Sequence, residues 1–233
     1  MAGHSKWATT KRQKAVVDAK RGATFSKIGN LIAIAARGGT DPNDNPALAL
    51  AIEKAKAVNM PKANIDRAIA RVMEKGSDQL EEITYEAYGP GGAGIIIEVA
   101  TDNKNRTFPE LRGVINKHGG RLADVGSVMF QFQQKGVIAA TPNNEEMILV
   151  ALDAGAEDVH EEDDKLIIYT DSKELMAVRS RVAEAGMKVI SAELNYVPNI
   201  EVDLSDEDAD KLMNLLNIID DMDDVVNVYT NMK

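Results

Sequence analysis

The apolar residues of this chain change their period near residue 81, and no other feature limits the fold as much. Residues 1–80 read as all helix. Gly22 interrupts a first basic segment. Thr24 is placed to cap a helix with Phe25, Ile28, Leu31, Ile32 and Ala35 on one face, ended by Gly38-Gly39. DPNDNP is a loop in which Asn45 caps and Pro46 takes the first helical position, where its missing N–H costs nothing. Leu48, Ile52 and Ala55 continue at helical spacing, Asn59-Met60-Pro61 breaks the chain, and Ile65, Ala68, Ile69 and Val72 form a further stripe stopped by Gly76. Three stripes joined by short loops predict a three-helix bundle.

After residue 81 strands enter. GIIIEVAT reads as a strand. Thr107 and Glu110 have capping-box spacing before Phe108, Leu111 and Ile115, and Gly119-Gly120 ends that helix. In SVMFQFQ, Val128, Phe130 and Phe132 alternate with Met129 and Gln131, as in a half-buried strand, and GVIAAT follows as another. NEEMILVALDAG is a short helix and LIIYT a strand. Asp171 and Glu174 are placed to cap a helix with Leu175, Val178 and Val182, ended by Gly186. Residues 188–197 give one or two strands and IEVDL another. Ser205 caps a helix with Leu212, Leu215, Leu216 and Ile219, and VVNVYT closes the chain. Alternating strands with single-faced helices predict an α+β fold: the helical bundle followed by two ferredoxin-like domains with antiparallel sheets. The number of units suggests an insertion. The expected division is a basic helical domain over 1–80, an α+β domain over 81–134 with 199–233, and an inserted α+β domain over 135–198.

The charge is as uneven as the period. The 233 residues carry a net charge of -10, yet residues 1–40 hold Lys6, Lys11, Arg12, Lys14, Lys20, Arg21, Lys27 and Arg37 against Asp18 alone. That is +7, and residues 1–80 together are also +7, which leaves −17 for residues 81–233. Soluble surfaces mix both signs. Depletion of acid over 40 residues is what phosphate recognition produces, and an acidic remainder leaves one side for the partner. Trp7, flanked by Lys6, Lys11, Arg12 and Lys14, is either a core anchor or a platform for an unpaired base. Lys54, Lys56, Lys62, Arg67 and Arg71 add positive charge, the last two sharing a helix face.

Other chemistries find little support. There is no cysteine, so disulfides, thiolate zinc sites and cysteine nucleophiles are excluded, and a reducing compartment fits. No apolar run approaches the roughly 18 residues of a membrane span, and the basic start reads as packed helix rather than a leader. His4, His118 and His160 lie far apart and lack metal-like spacing. GPGGAG precedes a strand instead of opening a helix, so it reads as a turn and not a dinucleotide loop. The acids at 203–210 lack the glycine and glutamate of a calcium loop and suit a helix's first turn. Asp220, Asp221, Asp223 and Asp224 read as a solvated loop. No catalytic motif is present, and the expectation is a protein that is not an enzyme and needs no cofactor or metal.

The segments MAGHSKW, DAKRG, IEKAKAVNMPK, YGPGG, TDNKNRT and GSVMF, in that order over residues 1 to about 132, resemble those of the YebC/PmpR family. The chain has ATTKRQK after its tryptophan and GSVMFQF where the family has other residues at these places. The resemblance implies a three-domain cytoplasmic protein with a helical bundle, two α+β domains and no known catalysis. It implies a DNA-binding transcriptional regulator, with some members, including mitochondrial relatives, acting instead on the ribosome in translation. In TDNKNRT, the asparagines either build a turn, or Asn105 and Arg106 reach phosphate or base edges.

The expected activity is therefore regulation of gene expression through nucleic acid, duplex DNA or ribosomal RNA. Lys6, Trp7, Lys11, Arg12, Lys14, Lys20, Arg21, Lys27, Arg67, Arg71, Asn105 and Arg106 are the candidate contacts. The other readings are a ribosome-associated translation factor and a protein-binding adaptor. No helix carries Asn, Gln and Arg at base-reading spacing, which argues against strong sequence specificity.

Overall fold

The computed structural model describes residues 21–73 and 80–233. Three helices come first: α1 (Arg21–Ala35), α2 (Pro46–Ala57) and α3 (Lys62–Ala70). They share a core of Ile28, Ile32, Ala36, Leu48, Ala51, Ala55, Met60, Ile65 and Ala68. Asn45 joins the first two. Its side chain accepts from the Leu48 N–H at 3.2 Å and donates to the carbonyls of Ala35 and Gly39, both at 2.7 Å. One residue thus caps the start of α2 and satisfies the end of α1. α1 runs through Gly22 and Thr24, so Gly22 does not interrupt it and Thr24 does not cap it. Tertiary packing outweighs the weak local preference of these two residues. The expected stop at Gly76 falls outside the described residues.

The first sheet joins β1 (Glu81–Tyr88), β2 (Gly94–Thr101), β3 (Arg121–Ala123) and β8 (Val225–Thr230) in the order β3-β1-β2-β8. All its neighbours are antiparallel. β1 was not foreseen, although Ile83, Tyr85 and Ala87 alternate with Glu82, Thr84 and Glu86. Between β2 and β3 runs α4 (Lys104–Lys117), and α7 (Asp206–Asp220) precedes β8. Leu111 and Ile115 of α4, with Leu212, Leu215, Leu216 and Ile219 of α7, bury against Ile95, Ile97, Val99, Val225 and Val228. Ser205 caps α7, its hydroxyl accepting from the Asp208 N–H at 3.2 Å.

The second sheet is made from one continuous stretch: β4 (Phe132–Thr141), α5 (Glu145–Asp153), β5 (Asp158–Glu162), β6 (Lys165–Asp171), α6 (Leu175–Glu184) and β7 (Lys188–Pro198). Its order is β5-β6-β4-β7, again antiparallel throughout. The chain is therefore α+β, with two four-stranded antiparallel sheets. The second has the ferredoxin-like β-α-β-β-α-β connectivity. The first starts with the β1-β2 hairpin, and its β2-α4-β3 unit straddles β1.

Four local expectations give way. SVMFQF is not a strand: residues Met129–Gln131 form a 3-10 turn and β4 begins at Phe132. The buried Glu86 accepts the N–H groups of Gly126 (2.5 Å), Val128 (2.6 Å) and Met129 (2.8 Å), so these donors serve a carboxylate instead of a ladder. Phe130 is consequently 65 % exposed while Gln131 is buried and bonded to Asn231. IEVDL makes only a bridge, Val202 to Met232. The T-x-x-E box does not open α4: the Asn103 side chain caps it, accepting from the Arg106 N–H at 3.2 Å, and Thr107 lies inside the helix. Similarly, Asp171 accepts from the Lys173 N–H and Glu174 makes no side-chain cap for α6.

The helical unit docks on both sheets. Lys54 of α2 donates to Glu193 of β7 at 2.9 Å and Asn227 of β8 at 3.2 Å. Arg179 of α6 pairs with Glu53. Burial alone would lower the Lys54 ammonium, but the charge and hydrogen bond of Glu193, with Glu98 and Asp220, carry it above the ordinary lysine value. No helix of the described residues is long and apolar enough to cross a membrane.

Candidate nucleic-acid interface

The basic surface begins with the helices. Lys56, Lys62, Arg67 and Arg71 are exposed, on the ends of α2 and α3 and the turn after α3. Arg67 donates to the Asn64 side chain at 3.3 Å and Arg71 to Asn30 at 3.1 Å. Both partners are neutral amides, so each guanidinium is oriented without losing its charge. An unneutralised, oriented arginine fork is suited to phosphate oxygens. Lys27 is turned inward: half-buried, it donates to the Asp220 carbonyl at the C-terminal end of α7 and ties α1 to the first sheet's helix. Lys6, Trp7, Lys11, Arg12, Lys14 and Lys20 lie outside the described residues, as does the Arg21 side chain.

The polar loop of TDNKNRT resolves into two parts. Asn105 stands exposed in the first turn of α4. Arg106 is engaged by acids: Nη2 donates to Asp224 at 2.9 and 3.2 Å and to Asp102 at 3.3 Å. Asp224 also accepts from Thr107 Oγ1 at 2.5 Å and Thr101 Oγ1 at 3.0 Å, and the two threonine hydroxyls are 2.8 Å apart. Burial would raise the Asp224 carboxyl, but the bonds from Thr107, Arg106 and Thr101 and the arginine charge hold it below the ordinary carboxylate range. Asp224 is thus the hub of a network that fastens the start of α4 to the α7–β8 turn, not a member of a solvated loop. The sequence could not signal this, because its partners lie more than 110 positions away.

Among the described residues no group of three or more His, Asp or Glu could hold a metal ion. His160 reaches Asp158 at 2.9 Å and packs edge-on against Tyr169. GPGGAG forms the tight turn between β1 and β2, with Gly91 at φ 69°.

The comparisons with known proteins agree with this architecture. A family model described as the N-terminal domain of TACO1/YebC proteins matches residues 5–75, and one described as the second and third domain matches residues 80–232. A protein of Rubrobacter xylanophilus named "Probable transcriptional regulatory protein" is 47% identical over 237 residues, covering 99% of this chain and 95% of its own. A protein of the same name from Pseudothermotoga lettingae is 46% identical over 241 residues, covering 99% and 93%. The crystal structure of a conserved hypothetical protein from Aquifex aeolicus superimposes with a TM-score of 0.87 at 40% identity, over 93% of this chain and 91% of that one. With both domain models matched in order along nearly its whole length, the chain belongs to the TACO1/YebC family.

Proposed function

We propose that this protein regulates gene expression by binding nucleic acid, with the basic N-terminal part gripping phosphate and the acidic α+β part holding it in place. One observation carries the reading: +7 in residues 1–40 against −17 in residues 81–233. Charge segregated this sharply steers a polyanion to one end of the molecule. Exposed Arg67 and Arg71, held by neutral amides, add positive charge within the N-terminal part, and the relatives' names support a regulatory role. Lys6, Trp7, Lys11, Arg12, Lys14, Lys20 and Arg21 are the proposed primary contacts, with Asn105 a further one.

The nucleic acid is bound through its backbone more than its bases, since none of the described helices presents a base-reading set of side chains. That favours duplex DNA without strong sequence discrimination or, as a second reading, ribosomal RNA. Sedimenting the protein from a DNase-treated lysate separates the two. Co-migration with ribosomal particles, lost when Lys11, Arg12 and Lys14 are neutralised, assigns it to the ribosome. A protein that stays at the top and binds duplex is a DNA-binding regulator. For four to six phosphate contacts the slope of log affinity against log salt is about −4 to −5 on duplex. A flat salt response refutes the electrostatic reading, and indifference to charge reversal at the three basic residues points to a protein-binding adaptor.

A further inference from the structure

Between the turn after β1 and the turn after α4 lies an open cleft of about 380 Å³, lined by Tyr88, Gly89, Gly92, Gly119, Gly120 and Arg121. Its glycines are of two kinds. Gly89 and Gly120 have no room for a side chain: a Cβ would lie 2.5 Å from Leu212 Cδ1 in the first case and 2.7 Å from the Tyr88 carbonyl oxygen in the second. Gly92 and Gly119 are different. Both are left-handed, at φ 81° and 80°, yet a Cβ at Gly92 would meet nothing within 4 Å and one at Gly119 only Pro90 at 3.8 Å. At these two positions no side chain fills the space beside the backbone, whose N–H groups are already given to the carbonyls of Gly89 (3.1 Å) and Asn116 (3.4 Å).

Arg121 forms one wall. Its guanidinium carbon stands 4.7 Å from the centre of the Tyr88 ring, and the Tyr88 hydroxyl is fixed by donating to the Ser127 carbonyl at 2.7 Å. An aromatic face orients the cation without neutralising it. Arg121 is exposed, and no carboxylate meets it among the described residues. Arg112, Lys117 and His118 precede it, with no acid between Glu110 and Asp124, in the part of the chain, residues 81–233, whose net charge is −17. Lys117 in the last turn of α4 is an ordinary complement to the helix dipole. Arg121, beyond the helix, has no such duty.

We propose that this cleft is a second phosphate site, in which the Arg121 guanidinium donates to a backbone phosphate of the bound nucleic acid and the bare turns at Gly92 and Gly119 leave it room. This rests on the nucleic-acid reading and adds a contact on the α+β part, far in sequence from the basic start. An oriented, uncompensated guanidinium fork with clear space in front of it is the chemistry that takes a tetrahedral oxyanion.

The test is a salt titration of the full chain on a 20-nucleotide single-stranded RNA and on a duplex of equal length. Arg121→Gln is expected to weaken binding about fivefold and make the salt slope shallower by about 0.7 to 0.9. Arg121→Lys restores most of the slope. Gly92→Asn, which tolerates positive φ, fills the cleft without changing charge and also weakens binding. Wild-type affinity and slope in both Arg121→Gln and Gly92→Asn overturn the site. Neutralising Lys11, Arg12 and Lys14 tests the primary reading separately. Should the wild type bind neither polynucleotide, inorganic phosphate is titrated against the amide resonances of Gly92, Gly119 and Arg121. Shifts confined to these amides keep a phosphate site but assign it to a free phosphate ester; their absence overturns it.

Discussion

Replacing Asp224 by alanine removes the hub between α4 and the α7–β8 turn. The carboxylate accepts from Thr107, Thr101 and Arg106, and its side chain is 15 % exposed. The two threonines are buried, so their hydroxyls lose an acceptor away from water. They are not orphaned entirely, since they remain 2.8 Å from each other and the single hydroxyl hydrogen of Thr107 can turn to the Asn103 carbonyl, 3.1 Å away. Hydrogen bonds to a charged group are worth about 1.5 to 3 kcal/mol each, and this re-pairing recovers part. The net cost is about 2 kcal/mol, which for a chain of this size lowers Tm by about 4 to 8 °C. The Arg106 side is exposed and screened, so Arg106→Gln has a smaller effect than Asp224→Ala. Thermal and denaturant unfolding followed by circular dichroism measures both. The pH dependence adds a second readout. The folded Asp224 carboxyl titrates below its ordinary value of 3.8, so the unfolded chain takes up the proton first. Its contribution is complete above about pH 4 and is lost as pH falls through the lower, folded value. Asp224→Asn therefore flattens the acid limb. An Asp224→Ala variant within 0.5 kcal/mol of wild type, or one no less stable than Arg106→Gln, refutes the assignment of the network as structural.

Two further substitutions probe buried polar groups. Glu86→Gln leaves one oxygen for three N–H donors and should cost about 1 to 3 kcal/mol, with faster amide exchange at Gly126, Val128 and Met129; unchanged protection there refutes the role of Glu86. Burial, with Glu98 and Glu193 beside it, pushes the Tyr229 phenol well above its ordinary value of 10.0, and Lys54 is raised in the same direction from 10.5. Both contributions are complete below about pH 10 and are lost as pH rises, because the unfolded groups release their protons first. Tyr229→Phe should make the alkaline fall in stability less steep, and an identical profile from pH 10 to 11 excludes it as a contributor.

The readable parts of the fold are those where the signal is local. Ser205 and Asn45 cap helices because a side-chain oxygen needs only the next turn. The stripes Leu212, Leu215, Leu216, Ile219 and Leu175, Val178, Val182 bury as spaced. Failures cluster where a distant residue takes over. Alternation in SVMFQF is overridden by Glu86, some 40 positions earlier, and the T-x-x-E pattern yields because Thr107 is drawn inward to Asp224. β1 was legible in Ile83, Tyr85 and Ala87, but its glutamates hide it, since Glu86 is a charged residue on a buried site. Of the candidate interface, the exposure of Arg67 and Arg71 was readable from their spacing. The inward turn of Lys27 and the capture of Arg106 were not, because an unpaired sequence cannot say which acid will fold beside which cation.

The second sheet leaves the first and returns to it at one place. Phe132 and Pro198 are cross-strand partners, and the N–H of Asn199 donates to the Gln131 carbonyl at 2.8 Å. Seen from the first sheet, the whole excursion is a loop already closed at its base, so its length adds almost nothing to the entropy of assembling what surrounds it. Such a neck lets the excursion be shortened, exchanged or enlarged without re-registering a strand of its host. Sequence drift can then act on the two sheets at different rates, while the host keeps its β3-β1-β2-β8 ladder.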